Sequence, residues 1–385
     1  MTTQMRRTEE TRAVAESISS APDPFRKDQV PADTLSRPSP KVQSAVPAGD
    51  KAPRIAAMDF TKGALVLIMV LYHWLNYFYG FESNIFRYLR FLTPSFIFIT
   101  GFLVSNIYLS KYGVSDPRPP RRLAQRGLKL LGVFVGLNVI RALLLPASVR
   151  AQLLSDHMSV RNLFHVYVAG NVLSGGQGKA VAFYILVPIG YLLLLSALLL
   201  IGARHFKYIF HVVGAIFLLG VFVLNAAGAP SANLELLTIG LLAVILGYAP
   251  IEKISAFVRH PYLLAAAYLG YLGAITVWNV IYPLQIVGVL LTLAIIYLVG
   301  DSSGRPGRIR SVVILLGTYS LLGYIAQIAI LQLLHSGLRH INSDTIVSVV
   351  SFLLAVVLTV ASVEIVDHIR PRSITMDRLY KAVFA

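Results

Sequence analysis

The stretch Arg54-Ile-Ala-Ala-Met-Asp59-Phe-Thr-Lys62-Gly63-Ala-Leu-Val-Leu-Ile-Met-Val-Leu-Tyr72-His73-Trp-Leu-Asn76 begins with three charged side chains and then stays apolar. A helix rises about 1.5 Å per residue, so roughly 20 such residues cross the ~30 Å of hydrocarbon in a bilayer. Met58 to Phe78 meets that requirement, and nine segments after it do the same. They run from Phe91 to Leu109, Gly127 to Leu145, Val181 to Ile201, Tyr208 to Ala226, Leu234 to Ala249, Pro261 to Asn279, Pro283 to Gly300, Val312 to Leu334 and Thr345 to Asp367. The expected fold is all-α: a polytopic membrane bundle of about ten transmembrane helices.

Composition supports this. Hydrophobic residues make up 56% of the 385 and charged residues 14%, with a mean hydropathy of +0.68. Soluble globular chains hold roughly 45–50% apolar and about 25% charged residues. The net charge of +16 would suggest nucleic acid in a soluble protein. Here the basic residues sit in short loops between apolar runs, where insertion topology accounts for them, so no nucleic-acid partner is expected. The chain has no cysteine, which excludes disulfides, thiolate metal sites and a catalytic thiol together. It contains no H-E-x-x-H, Walker A or G-x-G-x-x-G pattern, and no metal is expected.

Lys and Arg accumulate on the cytoplasmic side of membrane proteins. With the N-terminus inside, the inner loops and C-terminus hold seventeen, including Arg118, Arg121, Arg122, Arg126 and Lys129, and the outer loops hold six. Both termini are therefore expected in the cytoplasm. Residues 1–53, mixed in charge and rich in proline, read as a disordered tail. Residues 54–370 read as the transmembrane domain and 371–385 as a cytoplasmic tail. The outer connection from Pro146 to Ala180 is long. It carries Asp156, His157, Arg161 and His165, and reads either as a cover for an outward-facing site or as an interfacial or re-entrant segment from Asn162 to Leu173.

Within the first helix, Asp59 and His73 are fourteen residues apart, almost four turns, and share a face with Lys62. His73 falls on the order of 20 Å above the inner helix end. An ionisable side chain at that depth faces protein or a water-filled cavity and is a functional candidate by default. The competing account is a histidine that only bonds a neighbouring helix. Asp59 and Lys62 also have a structural account, as a helix-start ion pair.

Arg54, Asp59 and Lys62-Gly63, with His73 ten residues after the glycine, resemble the R-x4-D-x2-R-G-x9-H opening of the acyltransferase 3 family of integral membrane acyltransferases. Pro94-Ser-Phe-Ile-Phe-Ile-Thr100-Gly-Phe-Leu103 is similar to its F-F-x-x-S-G-F-L segment, and Arg121-Arg122-Leu-Ala-Gln-Arg126 to its R-R-x-x-R element. Gly317-Thr-Tyr-Ser320-Leu-Leu-Gly-Tyr324-Ile-Ala-Gln327 resembles its G-x-x-S-x3-Y-x2-H run. Lys62, Thr100 and Gln327 depart from the family's arginine, serine and histidine. Related branches that succinylate periplasmic glucans or acetylate glucosaminides share the Asp-x2-Arg-Gly opening.

The resemblance implies acyl transfer from cytoplasmic acyl-CoA, acetyl-CoA or succinyl-CoA, to a hydroxyl or amine of an extracytoplasmic glycan or lipid-linked sugar. A bacterial inner membrane is the expected location, and O-acetylation within the cell envelope the expected setting. His73 is expected as general base, with Asp59 and Gln327 as further catalytic residues. Lys62, Arg54, Arg121, Arg122 and Arg126 are expected to bind the donor's phosphates, although a purely topological role for the basic cluster stands beside this. Asn76, Tyr324, Ser320, Thr100 and Arg141 are expected around the acceptor and thioester. Two other classes remain open: a transporter or flippase for a lipid-linked sugar or small metabolite, and a non-catalytic sensor derived from the enzyme.

Overall fold

A computed structural model describes residues 55–79, 84–109, 112, 113, 116–144, 160–170, 182–249, 260–278, 280–302, 307–338 and 345–384. All of these belong to one unit, Lys51–Ala385. The N-terminal tail, Arg54, and Asp156 and His157 of the outer connection lie outside the described residues.

The chain is helical, with no strand among the described residues. Helix α1 spans Ala56–Phe78. After a 3-10 segment, Asn84–Leu89, α2 spans Leu92–Leu103 and continues as a π-helical turn, Val104–Leu109. Helix α3 spans Arg118–Leu144. The short α4, Val160–Leu163, runs into a second π-helical turn, Phe164–Ala169. Then follow α5, Leu186–Gly202; α6, Ile209–Ala226; α7, Ala232–Leu246; α8, Pro261–Trp278; and α9, Tyr282–Ser302. The last four are α10, Arg308–Thr318; α11, Ser320–Leu338; α12, Thr345–Ile369; and α13, Ile374–Phe384.

Eight of these segments are long and apolar enough to cross a membrane. Helices α5 and α7 supply the other two of the ten expected segments. At 17 and 15 residues they rise only about 22–25 Å, short of a full crossing. Both are inner helices, and Leu192, Leu241 and Val244 are fully buried. Large apolar side chains point outward on other helices, among them Leu219, Leu269 and Val277, and on one side of α5 at Leu198. In water such a surface would drive association; in a bilayer it is the lipid contact. The protein is an integral, multi-pass membrane protein.

In the C-terminal third, two elements differ from the sequence reading. The expected ninth span, Val312 to Leu334, is two helices interrupted at Tyr319, which leaves helical geometry with ψ 30°. The ladder resumes at once, because Gly323 N–H donates to the Tyr319 carbonyl. No proline marks the break. Its physical setting is tertiary: Gly317 abuts α1, and Tyr319 Oη donates to Asp367 of α12 at 2.7 Å. The second difference is α13, an eleven-residue helix in the segment expected as a tail.

Helix α1 packs against α2, α9, α10, α11 and α12. Leu65, Val66, Met69 and Val70 on it are buried. The approach to α10 is backbone to backbone, through Gly63 and Gly317. A Cβ on Gly63 would stand 1.8 Å from the Val313 carbonyl oxygen, and one on Gly317 1.7 Å from that of Asp59. Both motif glycines therefore serve helix packing. Gly101, in the second motif, plays the same part for α2 against the Gly240 carbonyl of α7. Near the other end of α1, Trp74 Nε1 donates to Ser351 of α12 at 2.9 Å. Glycine contacts at one end and an indole bond at the other fix the rotation of α1 about its axis.

Candidate active site

A cavity of about 390 Å³ lies among α1, α2, α3, α5 and the α10–α11 break. Its polar lining includes Lys62, Thr100, Tyr108, Arg126, Lys129, Thr318, Ser320 and Tyr324. Four sequence motifs that lie far apart along the chain thus contribute to one space. The reason is local in each case: Lys62 precedes the glycine that seats α1 on α10, Thr100 precedes the glycine that seats α2 on α7, and Thr318 and Ser320 flank the helix break.

The cationic side is built on α3, which starts earlier than expected, at Arg118. Arg122, Arg126 and Lys129 follow at helical spacing and share a face from which Arg121 is offset by about 100°; all four side chains are exposed. Of the expected Arg121, Arg122 and Arg126, only Arg126 lines the cavity. Arg122 donates to Tyr112 Oη at 2.7 Å. Arg126 bonds Tyr108 Oη and lies over that ring, 5.7 Å from its centre. Sequence reasoning missed Tyr108. Its position depends on the π-helical turn that ends α2, and such turns gather at functional sites.

Lys62 reaches Asp59 at 2.5 Å, within one turn of α1. An exposed helix pair of this spacing contributes about 0.2–0.5 kcal/mol; this one is partly buried. The structure does not bring Asp59 to His73. Fourteen residues of unbroken helix separate them by roughly 20 Å, so a carboxylate–imidazole dyad is excluded and Asp59 belongs with Lys62. Arg54 lies outside the described residues.

His73 adjoins the far end of the cavity without lining it. Its ring centre is 6.2 Å from that of Tyr324, which does line it, and 5.3 Å from that of Tyr72. Its Nε2 is sealed from solvent and has no hydrogen-bond partner among the described residues. Gln327, one turn beyond Tyr324, is fully buried with both amide atoms in the same condition. Leaving a buried polar atom unmade costs about 1–3 kcal/mol, so such a group is met by bound water, an ion or a ligand, or is held ready for chemistry.

Phe183, which sequence reasoning also missed, packs edge-on to Tyr324 with ring centres 6.1 Å apart. It is buried and has φ 62°, the only positive φ outside glycine among the described residues. A bulky side chain in that region is strained by about 1–3 kcal/mol. Nothing in the sequence around Phe183 signals this.

The other expected residues divide. Thr100 lines the cavity, yet its hydroxyl donates to the Phe96 carbonyl at 2.8 Å. Its proton is therefore committed, and it is no oxyanion donor. Asn76 lies one turn past His73 and Arg141 at the outer end of α3; neither lines the cavity. Of the connection from Pro146 to Ala180, residues 160–170 are described and are held on α7. Asn233 of α7 donates to the Val166 and Val168 carbonyls, and Ser231 to that of Ala169, while Val160 and Phe164 face outward. No cluster of three or more His, Asp or Glu suited to a metal occurs among the described residues.

The comparison with known families bears on this site. Residues 54–150 match the family model for heparan-alpha-glucosaminide N-acetyltransferase, catalytic. The match covers about a quarter of the chain and takes in α1, α2 and α3, with Lys62, His73 and Arg126. It supports an acyltransferase-like family and an acetyltransferase type of enzyme, and does not extend to acyltransferase 3 specifically. It ends before α10 and α11, so Ser320, Tyr324 and Gln327 stand on geometry alone. No curated protein and no solved structure matches the chain.

Proposed function

We propose that this acyltransferase-like membrane protein moves an acyl group, acetyl or succinyl, from cytoplasmic acyl-CoA to a hydroxyl or amine of an extracytoplasmic or lipid-linked carbohydrate. A bacterial cytoplasmic membrane suits both the loop charges and such an acceptor. One observation carries the reading. A single cavity joins Lys62 and Arg126 at one end to Tyr324 at the other, and behind that ring lies a His73 nitrogen with no hydrogen-bond partner among the described residues.

The chemistry follows from those positions. Guanidinium and ammonium groups suit the phosphates of acyl-CoA, Arg126 as a planar fork and Lys62 as a point charge. The acceptor O–H or N–H, seated beside the Tyr324 ring, gives its proton to neutral His73 as its lone pair attacks the thioester carbonyl, a step that requires this ring to swing aside and open the sealed Nε2 to the cavity. A general base at this step contributes roughly 10²–10⁴-fold. The Tyr324 and Ser320 hydroxyls border the cavity and are suited to donate to the oxyanion of the tetrahedral intermediate. Collapse breaks the C–S bond, and the imidazolium returns its proton to the departing CoA thiolate. With no cysteine to carry the acyl group, direct attack within a ternary complex is the simplest sequence.

The helix break at Tyr319 is the observation that favours a transporter instead, since transporters build midplane sites from interrupted helices. Proteoliposomes separate the two. With labelled acetyl-CoA or succinyl-CoA on one face and sugar acceptors enclosed, the enzyme places label covalently on the sugar. Movement of unmodified sugar with no acylated product would instead establish the transporter.

A further inference from the structure

Lys129 is not part of the arginine motif, yet it shares the cavity-facing stripe of α3 with Arg126. Its Nζ donates to the Lys381 carbonyl of α13 at 3.1 Å. The same C-terminal helix supplies Val383 and Phe384 to the cavity lining. A cation at the donor end of the cavity is thus engaged by the helix that walls that end.

The way α13 is held explains how it stays there. Asp377 accepts from Arg370 Nε at 2.7 Å and pairs with Lys381 Nζ at 2.5 Å. Arg370 lies 4.4 Å from the centre of the Tyr380 ring. Tyr380 in turn meets Tyr319 at 5.2 Å and stacks on Phe384 at 5.1 Å. The helix therefore docks on the α10–α11 break, beside Thr318 and Ser320, rather than on the outer surface of the bundle. Its anchors are one partly exposed ion pair, Arg370–Asp377, and a short row of rings; the Asp377–Lys381 pair lies within α13 itself, and ion pairs near a surface contribute little. A polyanion is well able to compete with contacts of this size.

The geometry points to α13 as a displaceable wall of the donor site, with Lys129 as a further phosphate ligand. On entry of a polyanionic nucleotide thioester, Lys129 passes from the Lys381 carbonyl to a phosphate oxygen, and the Val383–Phe384 end of α13 moves aside. This rests on the acyl-CoA reading above.

The absence of native cysteine gives a clean test. A full-length Val383→Cys protein in detergent is treated with a bulky maleimide, with and without desulfo-CoA, which carries the donor phosphates and no thiol. Desulfo-CoA should speed labelling several-fold, and Lys129→Met added to that protein should abolish the increase. Tyr380→Ala should speed labelling with no nucleotide present, and needs no assumption about the donor. Unchanged labelling in a protein that does turn over acyl-CoA overturns this inference and leaves the proposed function standing. Faster labelling without turnover supports the displaceable wall and counts against the acyltransferase reading. Unchanged labelling and no turnover overturn both.

Discussion

Gly63 of α1 and Gly317 of α10 form a contact in which each glycine faces the other helix's backbone with no room for a side chain. One precedes the run that presents His73, and the other precedes the break that presents Ser320 and Tyr324. The register of the two helices at this point sets where both halves of the site sit.

Gly63→Ala and Gly317→Ala should each destabilise the protein by at least the 1–3 kcal/mol typical of overpacking, because the obstructing atoms are backbone. Thermal unfolding in detergent checks this. Gly132→Ala, at a position with nothing within 4 Å of the added carbon, serves as the comparison and should leave the transition near wild type.

Arg126→Ala should raise KM for acyl-CoA about tenfold to a hundredfold, since a charge-assisted bond is worth roughly 1.5–3 kcal/mol, with a smaller effect on kcat. Steady-state kinetics at fixed acceptor measure it. Arg121→Ala should change KM far less, because that side chain does not line the cavity. Equal effects would mean that the basic cluster acts by net charge alone.

Gln327→Leu separates a structural from a catalytic amide. Replacing an unpartnered buried amide by an apolar group of similar shape is neutral or stabilising for the fold, so the melting temperature should hold or rise. Acyl transfer should fall nonetheless. Retained stability with full activity would remove Gln327 from the site.

The docking of α13 should weaken in acid, through its Arg370–Asp377 contact; the Asp377–Lys381 pair lies within α13 itself. Lys381 first, then Arg370, hold the Asp377 carboxyl below the usual carboxylate range. A depressed folded-state pKa gives stability that is fully present above the ordinary value of about 3.9 and is lost as pH falls through the docked value. Asp367, Arg372 and Tyr319 also border this surface. Amide exchange of residues 374–384 should therefore quicken below about pH 4, and Asp377→Asn should reproduce the effect at neutral pH.

Much of the fold was legible in the sequence because bilayer insertion imposes a long apolar period that few other constraints imitate. Met58 to Phe78 and Thr345 to Asp367 are each found within a residue or two of a helix end. What was not legible is tertiary. Tyr319 breaks a span with no proline, at a point where its side chain bonds Asp367, and the short α5 and α7 are packed among other helices. In the site, the spacing of Lys62, His73 and Arg126 placed each on a helix face, and the structure brings Lys62 and Arg126 to one cavity with His73 beside it. Spacing also put Asp59 on the face of His73, and the rise of the helix keeps the two roughly 20 Å apart, with Asp59 paired to Lys62. Lys129 and Tyr108 carried no motif, since one depends on where α13 docks and the other on a π-helical turn.

The central claim is that His73 takes the acceptor's proton in acyl transfer. Free CoA release by purified wild type and His73→Ala, each with acetyl-CoA and a responsive sugar acceptor, tests it most directly. The account predicts an acceptor-dependent release that falls by about 10²–10⁴-fold in the variant, with its melting temperature and donor binding retained. Acceptor-dependent release at the wild-type rate in folded His73→Ala would contradict it.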